Sequence, residues 1–381
     1  MQVTLGTFEA TGKIWQRVYS VLDSGRLTYG PVSREFEQRF AAMHGCNYGV
    51  LTNSGTSSLV VAIQALKELH GWADGDEVIV PALTFVATVN AVLHNRLTPV
   101  LVDVDPSTYN IDTTKIVAAI TDKTRCIVPV HLFGQPANLW RITAIARDRD
   151  LLVVEDSCET MLATWNGCSV GQSDIGCFST YAAHLLVTGV GGICTTQNED
   201  YSKRLRSLVN HGIDLTELPN GDDYDPTFLA RKFRFTSIGH SFRTTEIEAA
   251  IGLAQLDDLP NMIAKRQQNA NTLTQLLQPM AERIQTPSIY PQATHSFMMY
   301  PIVLRNGSKW PVMQHLQNAG IETREMVPLT NQPCYNFSED DYPVAKWINE
   351  SGFYVGCHQG LSVDHMRYIA GVLGDYFDKT T

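Results

Sequence analysis

From about Arg34 to Leu256 the chain alternates between two hydrophobic rhythms. Short continuous apolar runs at Tyr48–Leu51, Glu77–Pro81 (EVIVP), Pro99–Val104 (PVLVDV), Arg125–Val130 (RCIVPV) and Leu151–Glu155 (LLVVE) predict strands. Runs of this kind belong to strands covered on both faces. Asp174–Phe178 (DIGCF) and Gly192–Thr195 (GICT) extend the series, while Thr56–Leu69 and Thr244–Leu256 carry apolar residues at helical spacing, the second strongly amphipathic. Strands alternating with helices predict an α/β domain built on a mostly parallel sheet. Beyond about Leu259 the rhythm changes to a helix (Ile263–Leu277), a strand (Phe297–Val303), a helix (Trp310–Ala319) and a last helix (Asp364–Tyr376). The expected division is a large α/β domain over 1–258 and a smaller C-terminal α+β domain over 259–381. Between them His211–Thr236, with Asn220-Gly221-Asp222-Asp223, is polar and reads as a long excursion, of the sort that is functional or reaches a neighbour.

Length agrees with two domains, since one core seldom organises more than about 250–300 residues and this chain has 381. Twenty-nine Lys+Arg against 39 Asp+Glu give a net charge of −10 with no basic run, which argues against a nucleic-acid or anionic-membrane surface. The opening MQVTLGTFEATGK has no signal-peptide pattern, and no apolar stretch reaches the roughly 20 residues of a membrane span. Eight cysteines without a C-x-x-C or C-x-C pair suggest free thiols in a reducing cytoplasm and no metal site. Cys158, Cys168 and Cys177 are expected as buried thiols.

Three segments carry candidate chemistry. Asn53-Ser54-Gly55-Thr56-Ser57-Ser58 follows a strand signal and opens a helix. A glycine turn, free N–H groups and hydroxyls there form a phosphate cradle, or an ordinary Ser/Thr N-cap. Glu155-Asp156 closes a strand, with Glu159 one helical turn on. Ligands of open parallel sheets sit at such carboxyl ends, where a carboxylate can hold a protonated ring nitrogen; a capping acidic cluster is the plain alternative. Ser179 ends the next strand and His184 follows five residues later, before the glycine-rich Thr188–Gly192. Ser179 suits a phosphate and His184 a proton transfer, although a lone histidine is more often structural.

With Gly25–Phe36 (GRLTYGPVSREF), Pro81–Asn90 (PALTFVATVN), Val130–Gly134 (VHLFG) and Phe242–Leu256 (FRTTEIEAAIGLAQL), these segments resemble the DegT/DnrJ/StrS family of sugar aminotransferases and dehydratases. The resemblance covers nearly the whole chain. It implies a fold-type I pyridoxal phosphate enzyme, with Gly55, Thr56, Ser57 and Ser179 on the cofactor phosphate and Phe85 stacked on its ring. Asp156 would pair with the ring N–H⁺, and Glu159 would lie near the ring hydroxyl. Arg243 would reach a phosphate in the neighbouring subunit of a homodimer, although Ser241-Phe242-Arg243 stands where the family usually reads Asn-Tyr-Arg.

The departure at residue 184 is informative. Family aminotransferases carry their Schiff-base lysine five residues after the phosphate-binding serine; here His184 stands there, and no lysine occurs between Leu151 and Tyr201. An imidazole cannot make that bond but remains a proton-transfer group. The resemblance therefore narrows to the 3-dehydratase branch of deoxysugar biosynthesis, which supplies sugars such as those of lipopolysaccharide O-antigens. Glu159, where aminotransferases commonly have Gln, and Gly352–His358 (GFYVGCH) fit that branch. The implied reaction is loss of the C3 hydroxyl from a nucleotide-linked 4-keto-6-deoxyhexose. His184 would be the base, pyridoxamine phosphate would be held non-covalently, and L-glutamate would restore the amine. Reductase coupling through an iron–sulfur cluster would need a C-x-C pair. Val190, where most members have Glu, and Leu185, where dehydratases often have a second His, mark a changed substrate or lost turnover. A divergent aminotransferase and a non-catalytic nucleotide-sugar-binding homologue stay open. Candidate sugar contacts are His211, His358, Arg324 and Tyr29.

Overall fold

The computed structural model describes residues 1–214 and 233–379, so Asn220–Asp223 lie outside the described residues. The main sheet contains β1 (Tyr48–Thr52), β2 (Glu77–Pro81), β3 (Thr98–Val102), β4 (Thr124–Ile127), β5 (Leu152–Asp156), β8 (Ile175–Ser179) and β9 (Gly192–Thr196). A surface hairpin of β6 (Thr164–Trp165) and β7 (Cys168–Ser169) separates β5 from β8. The strand order is β1-β9-β8-β5-β4-β2-β3, and β9 alone runs against the others. Every strand read from the apolar runs is present, with Glu77–Pro81 matched at both ends and the others displaced by at most three residues at an end. Val78, Ile79 and Val80 are fully buried, as double-sided coverage requires.

The helix read at Thr56–Leu69 spans Gly55–His70, capped by the Ser54 hydroxyl, which accepts the Ser57 N–H. The one read at Thr244–Leu256 begins later, at Glu246, behind a Thr245/Glu248 capping box. It is not amphipathic in place: Ala249, Ala250, Gly252, Leu253, Ala254 and Leu256 are all buried. It is wedged against helices Gly12–Ser24 and Pro31–Met43, and a β-carbon on Gly252 would lie 2.5 Å from the Phe36 ring. Its buried Glu246 accepts the N–H groups of Gly30, Val32 and Ser33 at the head of Pro31–Met43. A carboxylate at that helix end opposes the helix dipole favourably, so its burial is compensated.

A second, antiparallel sheet, ordered β10 (Ile284–Gln285), β11 (Tyr300–Leu304), β13 (Gly352–Val355), β12 (Thr323–Glu325), lies in the C-terminal part. Helix Leu259–Leu277 packs there against Val363–Lys379, burying Ala270, Leu273, Leu277, Ile369 and Leu373. Val3 pairs with Ile321, so the first residues also rest on this layer. The two layers are joined at Asp103, just beyond β3: its carboxylate accepts the N–H groups of Val344 and Ala345 at the start of helix Pro343–Ser351.

The ends of the polar excursion meet, with Ile213 bridged to Phe235 and Arg234 paired with Asp214 at 3.3 Å. The expectation of three buried thiols holds for Cys177 only. Cys158 is half-buried, and Cys168 is exposed because the β6–β7 hairpin turns at the surface through Asn166 and Gly167, both at positive φ. Among the described residues no helix is long and apolar enough to cross a membrane, and no group of three metal-ligating side chains occurs.

Candidate active site

The carboxyl ends of β1, β5 and β8 converge because β9 runs backwards between two of them. Gly192, its first residue, stands opposite both Thr52 and Ser179. It must be glycine, since a β-carbon there would lie 2.5 Å from the Ser54 carbonyl carbon. The head of helix Gly55–His70 is thereby drawn against Ser179: a β-carbon on Gly55 would fall 2.7 Å from Cys158 Sγ and 2.8 Å from Ser179 Cβ. The turn is held by Ser57 Oγ donating to Asn53 Oδ1 at 2.6 Å and by the Asn53 N–H donating to the Phe242 carbonyl at 2.7 Å. A helix N-terminus with a second serine beside it is a ready anion site.

Glu155 and Asp156 close β5, and alternation along the strand sends them to opposite faces. Glu155 takes His131 Nε2 at 2.8 Å and the N–H groups of Gly171 and Ser173. Burial pushes its carboxyl up, but those partners outweigh it and hold the group low. Asp156 Oδ2 accepts Thr88 Oγ1 at 2.8 Å, and Oδ1 accepts the Cys158 N–H at 3.1 Å. Burial dominates there, and the Asp156 carboxyl is raised. Thr88 lies one turn beyond Phe85, which precedes helix Val86–His94 at its N-cap position and is 59% exposed.

Glu159 is half-buried, and its Oε2 accepts the N–H of Phe133, a residue at φ 56°. Burial raises its carboxyl to about 7, against the pull of that N–H. The Tyr354 ring lies 5.4 Å from Phe133, and its hydroxyl is pushed to about 12 by burial and then by the charge of Glu159, with Arg324 opposing.

His184 sits where the loop after β8 meets the second layer, its Nδ1 3.3 Å from Met298 Sδ. Burial and then the charge of Arg266 lower it to about 4, with hydrogen bonding to the Cys158 backbone opposing. The ring is therefore neutral near pH 7 and able to accept a proton.

Gly55, Asp156, Glu159, Ser179 and His184 thus come from the ends of three strands, β1, β5 and β8, to one locality around Cys158; Thr56 and Ser57 follow Gly55 on the same helix, and Phe85 lies one turn before Thr88, the partner of Asp156. Arg243 does not join them within one chain; it is exposed, donating to Asn210 Oδ1 at 2.6 Å and to Ser241 Oγ at 2.9 Å, with His211 Nε2 at 3.1 Å. Of the candidate sugar contacts, His211 is occupied by that arginine. Tyr29 is bound to Glu37 and Arg206, and His358 is buried with its nitrogens on Thr4 Oγ1 and the Gly360 N–H. Both are thereby engaged in networks within the chain. Arg324 is exposed on β12 opposite Tyr354. Sequence reading missed Thr88 and Met298. The three-residue spacing from Phe85 was a usable signal for Thr88, whereas Met298 had none.

A glycine cradle, a buried carboxylate and an exposed aromatic suit a phosphorylated heteroaromatic ring with a protonated nitrogen. Comparison with known proteins agrees. The profile of the DegT/DnrJ/EryC1/StrS aminotransferase family matches residues 9–373. GDP-perosamine synthase from Caulobacter vibrioides is 36% identical over 345 residues, 89% of this chain and 88% of that one. Escherichia coli GDP-4-keto-6-deoxy-D-mannose-3-dehydratase with bound hydrated PLP superposes with a TM-score of 0.90 at 28% identity, covering 98% of this chain and 99% of the other. A GDP-4-keto-6-deoxymannose-3-dehydratase with a trapped PLP-glutamate geminal diamine gives the same score and identity, over 98% and 100% of the two chains.

Proposed function

This chain belongs to the DegT/DnrJ/EryC1/StrS aminotransferase family of pyridoxal phosphate enzymes, and within it we propose a 3-dehydratase of nucleotide-linked 4-keto-6-deoxyhexoses. The observation that carries the reading is His184: an imidazole beside Cys158 and Met298, in a stretch without lysine from 151 to 201. With no lysine in that stretch to bond it, the cofactor would be held non-covalently, as pyridoxamine phosphate.

When bound, the cofactor supplies an amine for the C4 ketone of the sugar and an electron sink. Gly55, Thr56, Ser57 and Ser179 would hold its phosphate with N–H and O–H donors, Ser57 by exchanging its bonds to Ser54 and Asn53 for the anion, and Phe85 would cover the ring. Asp156, fixed by Thr88 and the Cys158 N–H, pairs with the ring N–H⁺. Glu159, half-protonated near pH 7, offers a carboxyl proton to the ring hydroxyl. His184 accepts, on an imidazole nitrogen, the proton whose removal precedes departure of the C3 hydroxyl. Arg243, outside its own chain's site, serves the neighbouring subunit of a homodimer. Glutamate is the amine donor, and the enzyme works in the cytoplasm. GDP sugars come first as substrates, from the names of the relatives.

An aminotransferase is the second reading, favoured by the 36% identity to a perosamine synthase. Incubation with nucleotide-linked 4-keto sugars and glutamate, followed by mass spectrometry, separates the two. Loss of one oxygen is expected. Gain of an amino group, or a visible cofactor band that borohydride fixes to the chain, would refute the dehydratase.

A further inference from the structure

A methionine packed on a histidine is ordinarily a packing contact, with sulfur roughly 5 Å from the ring. Met298 differs. Its Sδ lies 3.3 Å from His184 Nδ1, the distance of an N–H···S hydrogen bond, and the two residues are 114 positions apart. The backbone of Met298 is also held on both sides. Its N–H donates to the Phe133 carbonyl at 3.0 Å, and its carbonyl accepts Arg266 Nη1 at 2.9 Å. Arg266 is fully buried, also binds the Phe297 carbonyl at 3.3 Å, and leaves its Nε without a hydrogen-bond partner. Carbonyls, and no carboxylate among the described residues, receive it. Burying a guanidinium in that way costs free energy that the fold must recover elsewhere. What it secures is the position of one loop, Phe297–Met298.

We infer that Met298 is a positioning residue for His184: its thioether accepts the Nδ1 proton, which leaves Nε2 as the proton-accepting nitrogen, and Arg266 holds Met298 in place. The inference rests on His184 being the base. A thioether is an acceptor that carries no charge; the Cys158 backbone competes with it for the single proton of the neutral ring, and the tautomer that results is what the test below reads. A carboxylate in its place would favour the imidazolium and remove the base. Arg266 acts in the same sense, its charge opposing protonation of the ring.

The test uses the full-length protein loaded with pyridoxamine phosphate and labelled with ¹⁵N-histidine, the His184 signals being those lost in His184→Asn. The Nδ1-protonated tautomer is expected to dominate. Met298→Leu keeps the volume but removes the acceptor, so mixed tautomers are expected, with proton removal slowed about fivefold. Arg266→Lys is expected to shift the tautomer in the same direction, and if it does not fold, Met298→Leu still decides. A His184 protonated on Nε2 in the wild type, or a tautomer unchanged in Met298→Leu, overturns the inference. The tautomer is read without substrate. Failure to deoxygenate any sugar with an intact Nδ1–H would therefore defeat the dehydratase and leave the positioning role standing.

Discussion

Gly55 and Ser179 approach so closely that a β-carbon on the first would lie 2.8 Å from Cβ of the second. The contact joins two loops separated by 124 residues of sequence and places a helix N-terminus beside a strand-end hydroxyl. Gly55→Ala is expected to force them apart, lowering stability by about 1–3 kcal/mol through overpacking. Cofactor affinity should fall at least tenfold, read by equilibrium dialysis of pyridoxamine phosphate; unchanged affinity would remove the cradle.

His184→Lys restores an amine where family aminotransferases have one. It is expected to acquire a covalent cofactor bond, visible as an absorbance band that borohydride makes permanent, and to lose C3 deoxygenation by a factor of about 10² or more. Deoxygenation that survives undiminished would show that His184 is not the base.

Glu159 makes stability depend on pH with a definite sign. Its folded-state carboxyl is raised from an ordinary 4.5 to about 7, so between these values the folded state binds more protons than the unfolded. Its contribution is therefore fully present below about pH 4.5 and is lost as pH rises to 7. The difference in urea-unfolding free energy between the cofactor-free wild type and Glu159→Gln should change by about 2 kcal/mol across that window, allowing for partial exposure. A difference independent of pH would show that the carboxyl is not raised.

Arg243 and His184 should complement between subunits. Arg243→Ala and His184→Asn homodimers are each expected to be inactive. A hybrid of the two restores one site, which combines His184 of one chain with Arg243 of the other. Co-expression with two affinity tags and assay of the purified hybrid checks this. Inactive hybrids would place Arg243 outside the shared site.

Asp103, paired with Lys115 Nζ at 3.2 Å, holds the two layers together through the N–H groups of Val344 and Ala345. Asp103→Ala removes a buried helix cap and should cost about 2 kcal/mol in urea unfolding. A loss below about 0.5 kcal/mol would mean that the clamp contributes little.

The linear order of residues determined the layered α/β architecture, because apolar runs of strand length and helical periodicity are local properties of the chain. It also determined the identity of residue 184 and the lack of any lysine near it, which is a matter of composition. Tertiary structure decided the rest. Adjacent Glu155 and Asp156 are chemically alike, and only the packing of β5 sends one to His131 and the other to Thr88. Tyr29 and His358 take partners far along the chain, Arg206 and Thr4, which no local pattern announces. Met298 reads as an ordinary core residue until the chain folds back 114 positions to set its sulfur on His184. Such contacts escape a linear reading because they depend on loop geometry and on which faces of two layers meet, and these are set by the summed packing of elements far apart in the chain.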